Sequence, residues 1–399
     1  MKAPAVTFVT PWYGHFAGGA EVAARMFATQ LARRGFTVQV LTTCCRSPYE
    51  SWWQNTLSPG ESQLDGVLVR RFPVNPHGEQ RFHETNARLS DGADFGEQDQ
   101  QAFIDATINS DELIAFARQN LAGHVVIAMP YTQGVVHQTV RALPGAVTLV
   151  PCLHDEMQAR WTTTSQMIAG CRRLCFLSEE EKSLAVRLYG DKLGRRVAES
   201  AVIGVGVELP VDVRRRLSGA TPANDVRRQY KLPPRYFVYV GRKDTGKNVP
   251  RMVHWFDEHR QAGSADELVF VGGGDASLAP GGTGFRDLGY VPEADKYAIL
   301  SEATALVNLS ENESFSLVVA EAWQCGVPVV VSSRSPVTAS HCRRSRGGIA
   351  VGTADEFHAA LESLTAEDTR REMAAAGAAY VRREYSWDTV LDRFLAEAA

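Results

Sequence analysis

Two carboxylates, Glu313 and Glu321, stand eight residues apart in the stretch from Ser310 to Val331. The second lies inside Leu317-Val318-Val319-Ala320-Glu321-Ala322-Trp323, a run apolar on nearly every side. A helix that apolar all round is expected to be buried, and an ionised carboxylate there is costly unless hydrogen bonds or cations compensate it. Two Glu at this spacing are common by chance, and a lone Glu on a helix is usually a solvated face. The apolar surroundings set Glu321 apart from that bland case. Ser314 or Ser316 is expected to cap the helix, and Gly326 followed by Pro328 to stop it. Glu313 then lies in the loop at the amide-rich N-terminus. Free N–H groups at such an end suit an anion, while two carboxylates suit a polyol. Together they predict a site for a ligand carrying both phosphate and sugar hydroxyls.

A second cluster follows the apolar run Tyr236–Val240. Gly241-Arg242-Lys243-Asp244-Thr245-Gly246-Lys247-Asn248 nearly matches the phosphate loop Gly-x4-Gly-Lys-Ser/Thr of magnesium-dependent ATPases. That loop needs a hydroxyl after its lysine to hold magnesium, and Asn248 does not supply one in the usual way. Arg242 and Lys247 are then either exposed cations on a turn or a clamp for phosphate, the first a bidentate fork and the second a point charge. His154 follows Val147–Leu153, where it points into a cleft or is satisfied by Asp155 or Glu156. Gly18-Gly19 is by itself only a turn, and the lack of Gly-x-Gly-x-x-Gly around it counts against an NAD site. There is no Asp-x-Asp and no Cys-x2-Cys, so neither a metal nor a cofactor is expected.

The elements that must position these groups alternate between strand and helix. Val6–Thr10 reads as a strand, followed by a glycine-rich turn, a helix from about Ala20 to Arg34 and a strand over Phe36–Thr43, the start of a doubly wound α/β fold. Residues 47–101 are polar and read as a loop-rich insertion. Val125–Met129 and Val147–Leu153 look like buried parallel strands, and Val202–Val207 closes a first domain. The Arg-rich, proline-broken stretch from Pro210 to Pro234 reads as a linker with a short helix. Strands at Tyr236–Val240, Leu268–Val271 and Ala305–Leu309 then build a second α/β domain, and Ser386-Trp387-Asp388 caps a last helix. In folds of this type ligands bind at the carboxyl ends of parallel strands.

With 399 residues, 44% of them hydrophobic and 22% charged, two domains with separate cores are expected. A net charge of −4 argues against a dedicated nucleic-acid binder. The basic doublets Arg70-Arg71, Arg195-Arg196 and Arg343-Arg344 are mostly solvated surface, though one could meet anionic lipid or a charged acceptor. No stretch has the apolar length of a membrane span, and the N-terminus lacks a signal-peptide pattern. Seven cysteines, with Cys44 and Cys45 adjacent, do not form a disulfide framework, which fits a reduced cytoplasm.

The Glu313–Glu321 segment resembles the Glu-x7-Glu signature of the retaining nucleotide-sugar glycosyltransferases of family 4, and the resemblance runs through nearly the whole chain. Pro11-Trp12-Tyr13-Gly14-His15-Phe16-Ala17-Gly18-Gly19-Ala20-Glu21 is similar to that family's first glycine loop, and Ala32–Val40 to its helix end and second strand. Val240–Asn248, Val271-Gly272-Gly273-Gly274-Asp275 and Leu288-Gly289-Tyr290-Val291-Pro292 follow in the family's order. The resemblance implies the α/β GT-B fold, two Rossmann-like doubly wound domains facing across a cleft. Residues 1–208 would form an acceptor-binding domain and 209–380 a nucleotide-sugar-binding domain, with 381–399 a helix crossing back to the first. It further implies that Arg242 and Lys247 neutralise a diphosphate leaving group, that Gly18 and Gly19 let the backbone approach the β-phosphate, and that His154 orients the donor and touches the acceptor. Glu313 would hold the transferred sugar's hydroxyls and Glu321 the ribose hydroxyls. The amides of Phe315, Ser316 and Leu317 would face sugar or phosphate. Base readout would be by backbone near Gly274 and Val291. Where Ser316 stands the family usually has glycine. The implied partners are a nucleoside diphosphate sugar and a glycan or lipid-linked saccharide acceptor, in the cytoplasm with peripheral contact at the inner face of the membrane. A nucleotide-sugar epimerase of the same architecture, a P-loop-type ATPase and a non-catalytic sugar-nucleotide sensor are the competing readings.

Overall fold

Short runs rich in Val, Ile and Leu, each followed by a helix, favour parallel strands covered on both faces. The computed structural model describes residues 5–16, 18–217 and 226–398. The chain divides into two units, Met1–Gly206 with Val390–Ala399, and Val207–Thr389. Both are α/β units built on a parallel sheet, the Rossmann-like arrangement expected. Ala17 of the first glycine loop and residues 218–225 of the expected linker lie outside the described residues. Among the described residues no helix is long and apolar enough to cross a membrane.

The first unit carries β1 (Val6–Val9), β2 (Val38–Thr43), β3 (Gly60–Leu64), β4 (Val67–Phe72), β5 (Val125–Ala128), β6 (Val147–Leu149), β7 (Arg173–Phe176) and β8 (Ala201–Val202). Their order is β3-β4-β2-β1-β5-β6-β7-β8. All pairings are parallel except β3 with β4. Residues 47–101 are more regular than expected, since they supply β3, β4 and the helix Glu79–Ser90. The missed signal is Leu64-Asp65-Gly66-Val67: Asp65 and Gly66 both take positive φ, 51° and 81°, the two-residue turn that favours Asp-Gly in hairpins. The expected strand Val147–Leu153 ends early, because Pro151 and a left-handed Cys152 (φ 55°) follow β6; in the stretch Val202–Val207, Gly204 (φ 74°) likewise ends β8, and neither conformation continues a ladder.

The second unit carries β9 (Tyr236–Val240), β10 (Glu267–Val271), β11 (Phe285–Asp287), β12 (Leu306–Asn308), β13 (Val329–Ser332) and β14 (Gly348–Val351). Their order is β11-β10-β9-β12-β13-β14, all parallel. The chain builds outwards from β9 through β10 to β11, then returns to the other side at β12. The point between β9 and β12 is thus a topological switch, where the following loops splay apart and leave room for a ligand. The loop after β9 carries Arg242 and Lys247, and the loop after β12 carries Glu313.

Behind the switch point the helix Leu317–Gln324 is pinned by Trp323, which is buried and donates from Nε1 to the Gly347 carbonyl at 2.7 Å. A Cβ on Gly377, in the helix Glu367–Glu384, would lie 2.3 Å from the Trp323 ring. Gly377→Ala therefore sets a gain in helix propensity of about 1 kcal/mol against an overpacking cost of about 1–3 kcal/mol. We predict that the clash wins and that the melting temperature falls in a calorimetric scan; a rise would show that the indole is loosely packed.

Candidate functional site

Two glycine-dependent close approaches and two backbone hydrogen bonds tie the loops of the second sheet together. A Cβ on Gly272 would lie 2.1 Å from the Gly241 carbonyl oxygen, and one on Gly274 2.4 Å from that of Lys243. The Lys243 amide donates to the Gly273 carbonyl at 2.8 Å, and the Gly272 amide to that of Gly289 at 2.7 Å. Lys243, which sequence reading passed over between its neighbours, is buried beneath these loops. Its ammonium donates to the Gly272 carbonyl at 2.6 Å and to Asp287 at 2.9 Å. Asp287 in turn accepts from the Gly289 amide at 2.9 Å, just before Val291. The turns carrying Gly274 and Val291 are therefore fixed to the turn carrying Arg242.

Arg242 is half exposed and pairs with Asp244. The other oxygen of Asp244 accepts from the Lys247 amide at 2.7 Å, which curls the loop back on itself. Lys247 then reaches across the switch point, its Nζ 2.8 Å from Glu313 Oε1, with 11% of the Glu313 side chain exposed. Asn248 is left-handed (φ 60°) and donates from Nδ2 to the Leu309 carbonyl at 3.1 Å. The near match to a phosphate loop thus ends in a side chain committed to the loop after β12.

Glu321 finds the compensation its apolar helix demands. Lys296 donates to both of its oxygens at 3.1 Å, and the Tyr297 hydroxyl donates to Oε1 at 2.9 Å. Burial first, and then the neighbouring Glu321 charge, push the Tyr297 phenol well above its ordinary pKa, so it stays a donor. Sequence reading missed both residues, because nothing in Glu293–Ser301 marks which side of that helix meets Glu321.

The expected serine cap is not made. Ser316 sits at the N-cap but with φ 69° and ψ 73°, and its hydroxyl accepts from Asn308 Nδ2 at 3.2 Å instead of from a first-turn amide. That left-handed backbone costs a non-glycine residue about 1–2 kcal/mol. It also leaves the first turn, beginning at Leu317, without a side-chain acceptor, so its amides can receive an anion. Phe315 is buried with its ring edge-on to His341 at 5.3 Å and to Tyr385 at 4.8 Å. The second unit thus brings together Arg242, Lys247, Gly274, Val291, Glu313, Phe315, Ser316, Leu317 and Glu321 at the carboxyl ends of β9 to β12 and the helix that follows.

Gly18, Gly19 and His154 belong to the first unit. Gly18 is the N-cap of the helix Gly19–Arg33. The space beside Gly19 is open, whereas a Cβ on Gly18 would lie 2.4 Å from a carboxylate oxygen of Glu21. Glu21 is buried, with its carboxyl group at this helix end, a feature that sequence reading did not pick out. His154 is partly exposed in the bend after β6. Asp155 pairs with Arg160 and Arg187, and Glu156 accepts from the Tyr131 hydroxyl at 2.6 Å. Just before His154, Glu181 is buried and accepts from the Leu153 amide at 2.6 Å and the Leu177 amide at 2.5 Å, fastening the chain after β6 to that after β7. Burial raises its pKa to about 8 against the pull of these amide donors. Among the described residues no group of three or more His, Cys, Asp or Glu side chains could hold a metal ion.

Residues 234–367 match the family described as glycosyl transferases group 1. A D-inositol 3-phosphate glycosyltransferase of Thermomonospora curvata is 31% identical over 414 residues, covering 95% of this chain and 90% of that one. The protein of the same name from Rhodococcus opacus is 27% identical over 410 residues, covering 95% and 85%. Two solved structures share the fold. A UDP-forming trehalose-phosphate synthase from Burkholderia xenovorans, in complex with glucose-6-phosphate, has a TM-score of 0.74 at 12% identity, covering 99% of each chain. Anabaena HepE, in complex with UDP and glucose, has a TM-score of 0.67 at 14% identity and the same coverage. The chain belongs to the group 1 glycosyl transferases of family 4, nucleotide-sugar-dependent enzymes of the GT-B fold.

His341, beneath Phe315, carries a pH consequence. Burial lowers its pKa from 6.5 to about 3, with nearby Arg344 acting in the same direction. The unfolded chain binds a proton below pH 6.5 that the folded chain refuses. The stability due to neutral His341 is therefore complete above pH 6.5 and is lost as pH falls from there towards 3. At pH 5 the loss is about 2 kcal/mol. We predict that His341→Gln shows a smaller drop in urea-derived stability between pH 7.5 and pH 5 than the wild type. Equal drops would mean that His341 protonates freely in the folded chain.

Proposed function

We propose that this chain is a retaining hexosyltransferase that binds a nucleoside diphosphate sugar on its second unit and needs no metal ion. The observation that carries the reading is the Lys247–Glu313 pair, 2.8 Å apart at the switch point, in the loop that runs into the uncapped helix Leu317–Gln324. Arg242, Lys247 and the amides of Phe315, Ser316 and Leu317 would supply the positive charge that the departing diphosphate requires, from groups fixed in advance. Glu313 would accept from the sugar hydroxyls and Glu321 from those of the ribose, with the base against the backbone near Gly274 and Val291. In the first unit, Gly18 and Gly19 would approach the β-phosphate and His154 would orient the donor and meet the acceptor.

Glu313 is paired with Lys247, and among the described residues we assign no other carboxylate the role of a covalent nucleophile. We therefore favour front-face displacement. The bond from the sugar's anomeric carbon to the phosphate oxygen breaks, and a bond from that carbon to the acceptor oxygen forms on the same face. The departing phosphate oxygen takes the acceptor's proton.

A UDP-sugar is the first donor to assay, since UDP appears with the related folds. A glycan or lipid-linked saccharide is the acceptor the family resemblance implies. The names of relatives spanning 95% of the chain support a second candidate, a small phosphorylated cyclic polyol. A cytoplasmic setting, with peripheral contact at the inner membrane face when the acceptor is lipid-linked, goes with the first.

The test is transfer from α-linked UDP-sugars to both acceptor classes in EDTA, with the product's anomeric configuration read by proton NMR. We predict an α-linked product and full activity in chelator. A β-linked product would overturn retention, and loss of activity in EDTA would overturn metal independence. Lys247→Ala should weaken UDP binding by about 1.5–3 kcal/mol in calorimetry, the size of a charge-assisted contact; unchanged affinity would remove Lys247 from the phosphate site.

A further inference from the structure

Lys296 and Tyr297, neighbours on the helix Glu293–Ser301, hold one carboxylate between them, and the proposed roles so far give them nothing to do. A carboxylate offers about four lone-pair positions on its two oxygens. Lys296 takes one on each oxygen of Glu321, and Tyr297 takes the second on Oε1. The position left is on Oε2, and Glu321 keeps 17% of its side chain exposed through which to offer it. The ammonium sits 4.0 Å from the centre of the Tyr297 ring, which fixes its own place. The pair of Lys296 and Glu321 carries no net charge, so a diphosphate bound nearby does not face a bare carboxylate.

We infer that Lys296 and Tyr297 are positioning residues that leave Glu321 one directed acceptor for a ribose hydroxyl, and so set the preference for ribonucleotide over deoxyribonucleotide donors. The inference rests on the ribose role proposed above for Glu321. A carboxylate free to rotate would accept from either hydroxyl or from water with little discrimination. One held on three of its four sides rewards a hydroxyl at a single position, and a ligand lacking that hydroxyl leaves a partly buried acceptor unpaired.

The test uses whichever of UDP, GDP or ADP raises the melting temperature of the wild-type chain, together with its 2′-deoxy and 3′-deoxy forms, in titration calorimetry. The ratio of ribo to deoxy affinity is read within each variant. A merely structural defect lowers both affinities alike and leaves the ratio in place. The wild type should prefer the ribo form by about tenfold or more over one deoxy form, the scale of one hydrogen bond to a charged group. Glu321→Gln should abolish most of that ratio. Lys296→Met should reduce it at least threefold, and Lys296→Arg should retain more of it than Met does. If Lys296→Met does not fold, Tyr297→Phe, which keeps the ring, carries the same expectation. A wild type without preference, or a Glu321→Gln variant that keeps it, overturns the ribose role itself. Loss of the ratio in Glu321→Gln with the full ratio kept in Lys296→Met, or in Tyr297→Phe, overturns the positioning role alone.

Discussion

A negative charge in largely buried surroundings persists only where a cation or hydrogen-bond donors meet it. The second unit is arranged around two such meetings, one in an apolar helix and one in the loop before it. Glu321 is met by Lys296 and Tyr297 from the helix before β12, and Glu313 by Lys247 from the loop after β9. Each pair draws together segments far apart in sequence, and each leaves its carboxylate partly exposed. The acids are thus neutralised by the protein yet still able to accept from a polyol. Without the lysines, two carboxylates at the mouth of one sheet would repel the diphosphate proposed to bind at the amides beside them.

Those pairs can act on a ligand only if the loops carrying them hold still. The constraint there is close backbone approach. Gly272 and Gly274 admit no side chain because the carbonyls of Gly241 and Lys243 fill the space where a Cβ would go. Lys243 supplies the adhesive: its buried ammonium joins the carbonyl of one turn to the carboxylate of the next. Ser316 adds local strain of the kind that gathers at functional sites. Its left-handed backbone turns the hydroxyl to Asn308 and leaves the following helix uncapped.

Sequence alone exposed the parallel strands, because Val-rich runs such as Tyr236–Val240 and Val125–Met129 have no reading as exposed elements. It also exposed Glu313, Glu321, Arg242 and Lys247, because strongly polar residues beside buried strands stand out. The hairpin at Asp65-Gly66 was legible but hidden within a polar stretch. Lys296, Tyr297 and Lys243 were not legible. Their roles depend on which face of a helix turns inwards and on which turn lies over which, and one-dimensional spacing does not carry that. Ser316 was legible only in part. A serine before an apolar run reads as a cap until the backbone is seen to be left-handed.

The most direct measurement is a crystal structure of the full chain with UDP bound in EDTA-treated buffer. The diphosphate should lie against Lys247, Arg242 and the amides that begin the helix at Leu317, with a ribose hydroxyl on Glu321 Oε2. A diphosphate bound elsewhere, with the Lys247–Glu313 and Lys296–Glu321 pairs untouched, would contradict the donor site proposed for the second unit.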